Sequence, residues 1–224
     1  MTETWGQQVM VENKTGANGI IGTEFVAKSP GDGYTIFVGS TSTLAVNQSL
    51  YRLNFDPFRD LAALTMLASQ PLIIVVQPTV PAKNLKELVE LARARPGQLN
   101  YASPGVGNPL HLSGELFKSV TKINLTHIPY NKGSAPAVLD LLGGQVQLMF
   151  APILPVLPHI NTGKLRALAV SGPQRSPAVK NAPTVAEAGI PGYQVTIWNA
   201  AAVPAGTPKE TVAKLNGEIV RIMR

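Results

Sequence analysis

Apolar residues along this chain fall into two alternating patterns, short runs of β-formers and helical stripes. Strand-like runs stand at residues 9–12 (V-M-V-E), 34–38, 72–77, 99–101, 125–129, 145–150 and 165–170, with 194–203 extended. Helical segments fall between them at residues 20–28, 44–50, 135–142 and 154–160, with a short capped helix at 184–189. Residues 61–68 are apolar and fit either state. The clearest helix is 84–95. Asn84 and Glu87 have capping-box spacing, Leu85, Leu88, Val89 and Ala92 form the stripe, and Pro96-Gly97 ends it. Thr207-Pro208-Lys209-Glu210 reads as a second capping box. It opens a helix with Val212, Leu215, Ile219 and Ile222 on its apolar side. Strands that alternate with helices predict an α/β fold, mostly parallel sheet flanked by helices.

Composition changes this picture little. The 224 residues are 45% hydrophobic, enough for one large domain or two modest ones. The longest apolar run, 72–76, is bounded by Pro71 and Pro78, far short of the roughly eighteen residues of a membrane span. The first residues, M-T-E-T-W-G-Q-Q, have neither the basic nor the apolar region of a signal peptide. Without cysteine the chain has no disulfides and no thiolate metal sites. The net charge of +6 favours an anionic partner, but Lys and Arg are scattered singly. That spacing argues against a nucleic-acid face and points to small acids or simply to solubility.

Candidate chemistry centres on residues 100–117, N-Y-A-S-P-G-V-G-N-P-L-H-L-S-G-E-L-F. A strand enters a small-residue loop and then a helix, with Asn108 as N-cap and Pro109 at the first helical position. Backbone N–H groups left bare in such a loop, together with the helix N-terminus, form a seat for an anion. Three more loops share the character: 16–22, 39–43 and 131–134. Each follows a strand and precedes a helix, where open α/β sheets place ligands. One helix N-terminus contributes about 0.3–1 kcal/mol towards an anion, whereas micromolar binding needs about 8 kcal/mol, so several loops must act together. The candidate contacts are Asn18, Gly19, Ser40, Thr41, Ser103, Gly105, Gly107, Asn108, Lys132 and Gly133. Lys132 carries the one full charge in these loops.

Catalytic constellations are missing. No HExxH, DxD or G-x-S-x-G pattern occurs, and His111, His127 and His159 stand apart and read as structural or surface residues. The segment T-G-A-N-G-I-I-G (15–22) has glycines spaced G-x-x-G-x-x-G. That is not the nucleotide loop of short-chain dehydrogenases, and no Tyr has Lys four residues on. The expectation is a chain without catalytic residues, cofactor or metal.

The motifs V-E-N-K-T-G-A-N-G-I-I-G, P-G-D-G-Y-T, residues 100–117, G-S-A-P-A-V-L-D-L-L-G-G-Q-V-Q, G-K-L-R-A-L-A-V, P-T-V-A-E-A-G and V-P-A-G-T-P run in order through the chain. Together they resemble the solute-binding proteins of tripartite tricarboxylate transporters, the Bordetella-uptake-gene (Bug, TctC) type of periplasmic receptor. The resemblance implies a periplasmic-binding-protein type II-like fold of two lobes joined by crossing strands. Lobe 1 would comprise residues 1–98 plus 204–224, and lobe 2 residues 99–203. It implies capture of a small carboxylate between the lobes and delivery to membrane permease subunits, with no nucleic-acid partner and a monomer when full length. The acid is left open among di- and tricarboxylates, acidic amino acids and aromatic acids. By resemblance the chain is periplasmic and truncated at both ends, lacking a first strand and the completion of lobe 1. The family's Tyr-Lys-Gly is here Tyr130-Asn131-Lys132-Gly133. Its Asp after the strand's Phe is Ala151, a further candidate contact, and the residues after Trp198 are Asn199 and Ala200. A ligand-sensing domain of a transcription regulator and an α/β enzyme are the rival readings.

Overall fold

The computed structural model describes residues 1–14, 16–130 and 133–223. In chain order the elements are α1 (Thr2–Trp5), α2 (Ile20–Ala27), β1 (Phe37–Ser40), α3 (Asn47–Leu50), α4 (Pro57–Asp60), β2 (Leu61–Val76), α5 (Leu85–Ala94), β3 (Asn100–Ser103), α6 (Pro109–Thr121), β4 (Thr126–Pro129), α7 (Ser134–Leu142), β5 (Leu148–Pro152), α8 (Ile153–Asn161), β6 (Arg166–Val170), β7 (Thr196–Pro204) and α9 (Lys209–Met223). The α/β class holds. The chain divides into two compact units, Met1–Ser69 with Trp198–Arg224, and Gln70–Ile197.

In the second unit β3 is the middle of a parallel trio, pairing with β4 and β5. The second half of β2 runs antiparallel to both β5 and β6. Leu72, Ile73, Ile74, Val75 and Val76 are fully buried, which explains a continuous apolar run where a half-exposed strand would alternate. Helices α5, α6 and α7 cover the sheet with Leu85, Leu88, Phe117 and Leu141. Behind β3 and β5 lies an aromatic group in which Tyr101 meets Phe150 edge-on at 5.9 Å and Phe117 meets Tyr193 at 5.4 Å. The α5 capping box forms as expected: Asn84 Oδ1 accepts the Glu87 N–H, and the Glu87 carboxylate accepts the Lys83 N–H.

In the first unit β1 pairs antiparallel with β7, and β7 lies beside β2 in the strand order. Its cores are small, one of Leu64, Ala201, Val203, Leu215 and Ile219, the other of Val26, Phe37, Leu61 and Ala202. The stripe on α9 is therefore right for Leu215 and Ile219, but Ile222 is exposed and Glu218 is buried instead, paired with Arg221 at 2.9 Å. Among the described residues no helix is long and apolar enough to cross a membrane.

Four local expectations are corrected. Residues 9–12 are not a strand: the Val9 N–H goes to Thr2 Oγ1, and Met10 and Val11 are exposed. An extended segment becomes a strand only where a neighbour takes its backbone groups. The strand expected at 34–38 begins at Phe37 and runs to Ser40, the stretch in register with Asn199–Ala202. The ambiguous residues 61–68 are the first half of a single sixteen-residue strand, β2. At 184–189 Thr184 and Glu187 form a reciprocal capping box, yet only turns follow, closed by Gly189 and Pro191.

Helix α6 touches β3 most closely at Gly114, where an added Cβ would overlap the buried Tyr101 ring. Helix propensity alone favours Gly→Ala by about 1 kcal/mol, but overpacking a core costs about 1–3 kcal/mol. The Tyr101 hydroxyl is tied to Glu115, so the ring has little room to yield. Gly114→Ala should therefore lower stability by about 1–2 kcal/mol in urea unfolding; a stabilised variant would show that the contact is loose.

Candidate functional site

The loop between β3 and α6 is built as the sequence predicts at its helical end. Asn108 Oδ1 accepts the Leu110 N–H at 3.0 Å, and Pro109 takes the first helical position. Gly105 (φ 148°) and Gly107 (φ 78°) hold backbone conformations that a side chain would strain. The rest of the loop is tied to itself more tightly than a bare anion seat. Ser103, fully buried, bonds through Oγ with both the Gly105 carbonyl (3.1 Å) and the Gly105 N–H (3.2 Å). The Asn108 N–H donates to the Gly105 carbonyl, and the Gly107 N–H to His111 Nδ1 at 3.2 Å. The Ser103 hydroxyl and the Gly105 and Gly107 N–H groups are thus taken up by the loop and by the residues packed behind it. Among the described residues the Val106 N–H has no internal acceptor, and Val106 is exposed. With the Asn108 side-chain amide, it is the donor this loop offers.

The structure also brings together residues that are apart in sequence. The rings of His111, on the first turn of α6, and His127, on β4, lie 4.2 Å apart, and Tyr101 packs on His127 at 4.9 Å. His127 Nε2 is 2.6 Å from Ser103 Oγ. Tyr101 donates to Glu115 Oε1 at 2.6 Å, Lys118 holds the same carboxylate at 2.8 Å, and His111 Nε2 stands 3.9 Å from it. This network sits directly behind the loop. The expectation that the two histidines stand apart is therefore overturned: a strand-to-helix contact of this kind leaves no periodic trace. The sequence signal available was His111 at the third position of the helix after a glycine loop.

Burial, then the neighbouring His111, lowers the His127 imidazole to about 4. His111 is also lowered, chiefly by burial, against the opposing pull of Glu115. For Glu115 burial acts upwards, but hydrogen bonds from Lys118 and Tyr101 outweigh it and keep the carboxylate ionised. Burial and the bond to Glu115 push the Tyr101 hydroxyl up, so it remains a donor.

The other candidates occupy two places. In the first unit Asn18 Nδ2 donates to Asn47 Oδ1, and Asn47 Nδ2 to the Asn18 carbonyl. Gly19, with φ 83°, leaves no space for a Cβ beside Thr43. Thr43 Oγ1 accepts the Ser40 N–H at 2.8 Å, and Thr41 Oγ1 accepts the Trp198 N–H at 2.9 Å. Asn18, Gly19, Ser40 and Thr41 are thereby gathered into one packed group. In the second unit Gly133 caps α7, and Tyr130, just before it, donates its N–H to the Ser103 carbonyl. Ala151 is buried in β5 opposite Ile73 and brings no polar side chain. Lys132 and Asn131 lie outside the described residues. Among the described residues no cluster suits a metal ion. A hollow of about 580 Å³ between Ile21, Phe25, Lys28 and Thr35 includes none of the candidate contacts.

The lowered histidines set an acid limit. Their folded pKa values lie below the unfolded value near 6.5, so between that pH and about 4 the unfolded chain binds more protons. Stability should fall as pH drops through this window, with a slope approaching one proton from His127 and a further contribution of the same sign from His111. His127→Gln, which keeps a polar group near Ser103 but does not titrate, should flatten the slope by about one proton. Thermal unfolding midpoints that do not change between about pH 7 and pH 4 would contradict the assignment.

The chain is similar to known proteins along nearly its whole length. BugT of Bordetella pertussis is 39% identical over 98% of this chain and 68% of its own length. The solved structure of R. palustris Rpa4515 with adipate superposes with a TM-score of 0.87 at 37% identity, covering 97% of this chain and 73% of that one. MatC from Rhodopseudomonas palustris with bound malate gives 0.84 at 32% identity, covering 98% and 75%. The chain spans about two thirds of the length of the curated relatives it matches. The family model described as tripartite tricarboxylate transporter family receptor, TctC, matches residues 1–224, and the chain belongs to that family.

Proposed function

We propose that the chain is the ligand-binding part of a periplasmic receptor that captures a small dicarboxylate and delivers it to the permease subunits of a tripartite transporter. The observation that carries this reading is the family match along the whole chain, supported by solved neighbours holding adipate and malate, both dicarboxylates. A net charge of +6 is consistent with an acidic ligand. The reading needs no bond-making chemistry.

In the second unit the carboxylate is held at the N-terminal end of α6 by the Val106 N–H and the Asn108 side-chain amide, with water completing its shell. Ser103, Gly105 and Gly107 shape this seat without touching the acid. In the first unit Asn18, Gly19, Ser40 and Thr41 form a separate candidate set of contacts. The two compact units are the receptor's two lobes.

Calorimetry with adipate and malate, against lysine as a cationic control, tests the class. The acids should bind, lysine should not, and the acids should be recovered unchanged. Asn108→Asp separates ligand binding from folding, because Asp caps a helix about as well as Asn but sets a negative charge against the acid. It should weaken binding by about ten- to a hundredfold, the scale of one charge-assisted hydrogen bond, at unchanged unfolding midpoint. Equal affinity in the variant would remove Asn108 from the site, and no binding of either acid would contradict the dicarboxylate assignment.

A further inference from the structure

His111 is joined to the loop in front of it by one hydrogen bond whose direction fixes its protonation. The Gly107 N–H is the donor at 3.2 Å, so His111 Nδ1 is the acceptor and carries no proton. The remaining ring proton of the neutral imidazole then sits on Nε2, on the side of Glu115. We propose that His111 is a positioning residue that latches the Gly105–Gly107 turn through Nδ1, and that a proton taken up at Nδ1 opens the latch.

A proton at Nδ1 replaces an acceptor with a donor facing the Gly107 N–H, so the bond is lost and two donors oppose each other. The groups around the ring set when this happens. From α6, Glu115 favours the cation and Lys118 opposes it; from β4, His127 opposes it at 4.2 Å between rings. From β3, Tyr101 stays a neutral donor committed to Glu115. The ring also stands on the first turn of α6, where the helix dipole disfavours a positive charge. Burial adds to the same side, and the imidazole titrates below its ordinary range. The latch is therefore closed at neutral pH and opens in acid. His127 differs: its Nε2 partner is a hydroxyl, which can donate or accept, so a proton there leaves the Ser103 contact intact.

The test uses amide hydrogen exchange by NMR on the whole chain, with Leu110, capped by Asn108, as internal reference. In the unsubstituted protein Gly107 protection relative to Leu110 should fall, by up to about tenfold, as pH is lowered from about 7.5 through the acid range in which the fold persists, the loss of one hydrogen bond. His111→Asn places an amide oxygen near the position of Nδ1 and does not titrate; protection should persist across this range. His111→Phe should leave Gly107 unprotected throughout. Unchanged Gly107 protection in the Phe variant, or an Asn variant that loses protection in acid as the unsubstituted protein does, would overturn the proposal. A second readout rests on the dicarboxylate reading. Adipate affinity of the Asn variant should match that of the unsubstituted protein near neutrality and exceed it severalfold at the acid pH where the unsubstituted protein has lost Gly107 protection. Comparing the two proteins at one pH removes the acid's own titration. Equal acid affinities would overturn the latch, whereas adipate binding to neither protein at either pH would count against the receptor reading alone, leaving exchange to decide.

Discussion

Helix α6 approaches strand β3 with no side chain between them at Gly114, and the ring of Tyr101 fills that place. The bond from the Tyr101 hydroxyl to Glu115, itself held by Lys118, fixes the helix along its axis as well. With both ends so placed, the five residues 104–108 must bridge a set gap, and the shape they take is largely decided before any ligand arrives. Ser103 then anchors the loop's entry, His111 its middle and Asn108 its exit. The polar side chains form a scaffold behind the loop, and among the described residues the Val106 N–H is left without an internal acceptor.

This division of labour alters how a glycine loop before a helix should be read. Counting uncovered N–H groups from sequence overstates the seat, because Ser, His and Asn in the same segment compete for those groups. Ser103, Gly105 and Gly107 fix the shape of the loop.

Much of the fold was legible in the chain. The capping box at Asn84, the Asn108-Pro109 start of α6 and the buried run at 72–76 followed from local rules, and each formed as read. Residues 9–12 misled because β-propensity says nothing about whether a partner strand is present. Thr184 and Glu187 misled because a good cap cannot propagate a helix against Gly189 and Pro191. The continuity of β2 was hidden by Pro71 in mid-strand. The pairing of His111 with His127 was invisible for a different reason: it arises from the parallel register of β3 and β4 and the docking of α6, none of which has a sequence period. Sequence located the loop and its helix; tertiary packing decided which of its groups face inward.

The β3–α6 loop is preset by its own side chains. Backbone ¹⁵N relaxation of Gly105, Val106 and Gly107 in the ligand-free protein at neutral pH addresses it directly. A preset loop gives order parameters of about 0.85, as in a rigid backbone, and adipate leaves them unchanged. Values below about 0.6 that rise only when adipate is added would show that the ligand, and not the scaffold of Ser103, His111 and Asn108, orders the loop.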